Sequence, residues 1–92
     1  MHILLLTVHL RLPGVRSLKE KRSIIRPLLH KLHRHNNLSV HEAADHDNHN
    51  RAKLAFSWVG PDSDSGRQLM ENVVNHIETQ AVQILDYTVE EL

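Results

Sequence analysis

Two stretches of this chain alternate apolar and polar side chains with a period of two. In "HILLLTVHLR" (2–11), Leu4, Leu6, Val8 and Leu10 share one side, opposite Ile3, Leu5, Thr7, His9 and Arg11. In "RAKLAFSWV" (51–59), Ala52, Leu54, Phe56 and Trp58 share a side. Period two means extended backbone, with successive side chains on opposite faces. Such strands belong to a sheet that buries one face and leaves the other open. Whatever covers the buried face must come from the segments between.

Those segments read as helices. "SLKE" (17–20) places Ser17 as an N-cap with Glu20 three residues on, the reciprocal pattern that satisfies free amides at a helix start. Leu18, Ile25, Leu28, Leu29 and Leu32 then form one helical stripe, with Ile24 at its edge. Pro27 lacks an amide proton and should bend this helix, but the apolar period resumes beyond it, so one helix over about 17–35 is predicted. "HNN" (35–37) ends it, with Asn in left-handed geometry. "LSVHEAAD" (38–45) reads as a short strand and "HDNHN" (46–50) as a polar loop. "GPDSDSG" (60–66) is a turn with an Asp or Ser capping a second helix, whose stripe is Leu69, Met70, Val73, Val74 and Ile77. "VQILDYTVEE" (82–91) is the last strand, with Leu85, Tyr87 and Val89 facing inward and Ile84 outward.

The order β-α-β-β-α-β, joined by right-handed crossovers, predicts an α+β ferredoxin-like sandwich: a four-stranded antiparallel sheet with two helices on one face. Ninety-two residues make this a single domain, 1–92. The opening apolar run is too short for a membrane span, and it has no basic lead of the secretory kind. With no cysteine in the chain, a reducing cytoplasm is the expected setting.

The net charge of zero hides a strong asymmetry. Residues 11–35 carry eight Lys or Arg against Glu20 alone, while the rest carries three against ten acids. On a helical wheel Lys19, Arg22, Arg26, His30 and His33 share a sector about 80° wide and about 21 Å long. A ridge of that length can meet several phosphates of one strand. Lys19, Arg22 and Arg26 are the candidate contacts, with Arg16, Arg11 and Arg34 supplementing them. Lys21 is the anomaly, because the wheel puts it inside the apolar stripe. His30, His33 and His35 lie near the helix C-terminus, where protonation is favoured, so an anion should bind more tightly below about pH 6.5.

Other motifs carry less. His41, His46, Asp47 and His49 have donor chemistry for Zn²⁺ or Ni²⁺, but their spacing follows no metal motif and a solvated turn explains them as well. No phosphate-cradling or hydrolase signature occurs, so no catalytic residue and no cofactor is assigned. The aromatics all read as inward-facing, which argues against a base-stacking sheet. The outward face is mixed: Ile3, Leu5, Ala55 and Val59 beside Thr7, Arg51 and Lys53.

"SLKEKRSIIRPLLHKL", "NLSVHE" and "NRAKLAF" together resemble the YlxP-like proteins, small bacterial proteins of unknown function, over nearly the whole chain. Ser17 to Arg22 carry the likeness most specifically. Asn37, Ser39, Val40, Glu42, Asp47, Arg51 and Ala52 extend it. Where that family often has Trp-Gln, this chain has His49-Asn50, and Pro27 replaces a better helix former. The resemblance implies a ferredoxin-like fold. It also implies, by gene neighbourhood alone, a role near translation and ribosome maturation. The leading expectation is therefore a non-catalytic protein that binds RNA or the ribosome through its basic first helix. The alternatives are a homodimer formed through the sheet, and a metal-dependent or small-molecule enzyme using the His-rich loop.

Overall fold

In the computed structural model, which describes residues 1–92, the chain runs β1 (His2–Arg11), α1 (Leu18–His35), β2 (Ser39–Ala44), β3 (Arg51–Gly60), α2 (Ser63–Glu78) and β4 (Gln83–Glu91). All strand pairs are antiparallel, in the order β2-β3-β1-β4, with both helices on one face. This is the ferredoxin-like arrangement. None of its helices is long and apolar enough to cross a membrane.

The two alternating strands are the centre of the sheet. Leu4, Leu6, Val8 and Leu10 pair in register with Trp58, Phe56, Leu54 and Ala52, and all eight are buried. Helix α1 adds Ile25, Leu28 and Leu32, and α2 adds Met70, Val73, Val74 and Ile77. Burying one such side chain contributes about 1.5–3 kcal/mol, so the period-two pattern sets the register firmly. The Trp58 ring closes one end of this core. A Cβ at Gly60 or Gly66 would fall on that ring, which is why both positions carry no side chain.

The helix ends follow local chemistry. Ser17 Oγ accepts from the Glu20 amide at 3.1 Å, while the Glu20 carboxylate accepts from the Arg16 amide, one residue upstream of the expected partner. Helix α1 continues through Pro27 without a break. Ser23 and Pro27 are both exposed, so water can replace the lost backbone bond. Its end differs from the expectation. Asn36 is extended (φ −136°), not left-handed, and its side-chain amide donates to the Leu32 carbonyl at 2.9 Å. In α2 the cap is Asp62, which accepts from the Ser65 amide at 2.7 Å. That bond, followed by one from the Ser65 hydroxyl, holds the Asp62 carboxyl below its usual range.

Strand β4 corrects one reading. A bulge opens between His9 and Leu10, so that Leu10 pairs with Ile84 and His9 with Asp86. Leu85 becomes the extra residue and is 47% exposed, while Ile84, expected outward, packs on the core. Val89 packs inward as expected. Tyr87 keeps its register opposite Val8 but stands half exposed, because β4 is the sheet edge. An alternation count cannot see an inserted residue, which inverts the faces on one side of it.

Candidate nucleic-acid interface

Along α1, the residues of the predicted ridge, Lys19, Arg22, Arg26, His30 and His33, are all exposed. The molecule's four ion pairs, His2–Glu91, His9–Asp86, Lys21–Glu42 and Arg67–Glu91, leave Lys19, Arg22 and Arg26 without a carboxylate within 4.0 Å. The supplementary residues separate. Arg16 is exposed just ahead of the helix, beside its start. Arg34 is exposed but lies about 80° round the helix from Arg26. Arg11 does not join the ridge. It pairs in register with Arg51 on the open sheet face and donates to Gln83 Oε1 at 3.4 Å. The histidines also divide. The His33 Nδ1–H is committed to the Leu38 carbonyl at 2.6 Å, and His35 borders a small groove toward Asn72 and His76 of α2.

Lys21 resolves the anomaly in the stripe. Its side chain is 3% exposed, and its ammonium is ringed by three oxygens. Glu42 Oε2 lies at 2.7 Å, the Asp45 carbonyl at 2.7 Å and the Asn48 carbonyl at 2.9 Å. The approach to Glu42 is an ion contact without hydrogen-bond alignment, since Oε2 is buried with no aligned donor. A buried ammonium is tolerated only when paired and satisfied in this way. The two carbonyls belong to the tight turn after β2, where Asp45 takes a left-handed backbone (φ 65°) and its carbonyl also accepts from the Asn48 amide. Lys21 thus pins the His-rich loop to α1.

That pinning shapes a groove of about 590 Å³ between α1 and β2 with its following loop. Arg22 and Arg26 stand on the helix side, and His41, Glu42, His46 and Asp47 on the other. The His41 and His46 rings meet edge to face, with centroids 6.5 Å apart. The His46 Nε2–H donates to the Glu42 carbonyl at 2.8 Å. No three of His41, His46, Asp47 and His49 converge on a point where a metal ion could sit.

A second cluster had no signal in the sequence, because His2, Ser63 and Glu91 at its centre are 28 or more residues apart. The Ser63 hydroxyl donates to Glu91 Oε1 at 2.6 Å, and the His2 Nδ1–H faces Glu91 Oε2 and Ser63 Oγ, both at 3.0 Å. Arg67 Nη2 stands 3.9 Å from Glu91 Oε1. In a serine–histidine nucleophile the hydroxyl proton passes to the imidazole. Here that proton points to the carboxylate, and His2 meets both partners through one nitrogen. The cluster is a clasp joining the start of β1, the start of α2 and the end of β4. The Ser63 hydroxyl first, then the His2 ring, holds the Glu91 carboxyl below its ordinary value of 4.5.

Residues 3–89 match a protein family described as DUF503, protein of unknown function. No curated protein matches the chain.

Two outcomes follow from this geometry. Lys21→Met leaves Glu42 and two loop carbonyls without their cation, so denaturant unfolding should show a loss of about 3 kcal/mol. Amide exchange at residues 45–49 should rise with it. The Glu91 carboxyl, with its pKa depressed in the fold, stabilises above 4.5 and loses that effect as pH falls through the lowered value. Ser63→Ala should therefore melt below the unmodified chain at pH 7, and the gap should narrow at pH 3.

Proposed function

The chain belongs to the DUF503 family of unknown function, and on that footing we propose that it is a non-catalytic RNA-binding protein that holds phosphates on its first helix. The observation that carries this reading is the contrast within α1. Lys21, one residue before Arg22, is fully consumed by internal oxygens, whereas Lys19, Arg22 and Arg26 have no internal carboxylate partner and face solvent. Like charges three and four residues apart weaken a helix slightly, and no carboxylate within 4.0 Å offsets that here. An external polyanion would. Phosphate contacts of this kind position a strand without reading its sequence.

The YlxP-like resemblance of Ser17 to Arg22, with its association with translation genes, points the same way and makes the ribosome a candidate partner. The lack of cysteine fits a reducing cytoplasm. A second reading, self-association through the sheet, is favoured by one observation. Ile3 and Val59 pair in register on the open face beside Leu5, and Val59 is 47% exposed.

Salt titration of RNA affinity separates the two. Neutralising about four phosphates on a single strand gives a log–log slope near −3, and Arg22→Ala with Arg26→Ala should reduce it by about 1.4. An unchanged slope removes these arginines from the site. Absence of RNA binding in a chain that sediments as a dimer transfers the function to the sheet.

A further inference from the structure

The ridge is also one rim of the groove between α1 and β2, and the two walls of that groove differ in kind. Leu18 and Leu29, both partly exposed, give the helix wall an apolar surface beside Arg22 and Arg26, with buried Ile25 beneath them. The facing side carries the His46 imidazole on an exposed residue, with His41, in register with Ala55 of the open face, at the strand edge beside it. Glu42 lies within the groove with its side chain 24% exposed, and Asp47 also lines it. Lys21 neutralises Glu42, which leaves the groove interior close to neutral beside Asp47, while the arginines attract an anion at its rim.

We propose that this groove seats an unpaired base of a single-stranded RNA whose phosphates lie on Arg22 and Arg26; the inference rests on the phosphate-binding reading of α1. A nucleotide has the same division as the groove. Its phosphate is anionic, and its base is neutral, flat and edged with hydrogen-bonding groups. The aliphatic wall takes one face of the base and the His46 imidazole, with the His41 ring edge-on beside it, takes the other, as aromatic side chains do for splayed-out bases. The Glu42 carboxylate favours a base edge bearing an amino group, as adenine and cytosine have. The volume, about 590 Å³, lies in the ordinary range for small-molecule sites. Duplex RNA offers no such base, since its bases stay stacked and only its backbone reaches the ridge.

The test compares a single-stranded oligo(C) with a duplex RNA of equal length by fluorescence anisotropy at fixed salt. The unmodified chain and a His41→Ala, His46→Ala double variant are both measured. Both residues are exposed, and a thermal melt checks that the variant folds. The single strand should bind at least about 10-fold more tightly than the duplex. The double variant should lose about 5- to 100-fold on the single strand, with its salt slope and duplex affinity unchanged. His41→Phe with His46→Phe should restore binding, because the rings return without the charge. Equal binding of both forms, indifferent to the histidines, would overturn the base seat while leaving the phosphate ridge standing. Binding of neither RNA would remove the ridge and the seat together.

Discussion

The ammonium of Lys21 organises the functional side of this molecule. It sits where an apolar residue would complete the α1 stripe, and it is held by Glu42 and two loop carbonyls instead. Two hydrogen bonds and one ion contact tie the helix, strand β2 and the loop after it to one another. The cost of burying the charge is offset by the Glu42 carboxylate and two carbonyl hydrogen bonds together. A Leu at this position would pack, but it would leave the loop carbonyls without a partner and the groove without its second wall.

From that contact the rest of α1 divides by angle. Ile25, Leu28 and Leu32 face the core, Arg22 and Arg26 rise at the edge of the groove, and Lys31 turns toward α2. The open sheet face gathers a separate set of cations, Arg11, Arg51 and Lys53, with His9 beside Asp86. The molecule therefore has two basic surfaces on opposite sides of the sheet. They differ in company. Arg11 shares its face with Gln83 and the acidic edge of β4, whereas Arg22 and Arg26 border a groove with apolar and aromatic walls.

The central architecture was legible because it rests on periods. Leu4 to Leu10 and Ala52 to Trp58 could bury one face in only one register, and Ser17 with Glu20 marks the start of α1 in the sequence itself. Lys21 was visible as an oddity in the stripe, but its partners, 21 to 27 residues away, were not. The bulge at Leu85 was hidden because one inserted residue leaves the composition of β4 unchanged while reversing its faces. The end of α1 misled for a related reason. Asn suits both a left-handed cap and a side-chain bond to Leu32, and the sequence does not distinguish them. The clasp of His2, Ser63 and Glu91 depends on where three chain segments meet, which no local pattern records. For the candidate site, the ridge residues were readable from spacing, but the groove beside them required the turn that Lys21 holds.

The most direct test is residue-resolved NMR of the folded chain during titration with a short single-stranded RNA. The account predicts amide shifts confined to α1 between Lys19 and His33 and to residues 41–49, with the open sheet face silent. Shifts centred on Arg11, Arg51 and Lys53, or none at saturating RNA, would contradict it.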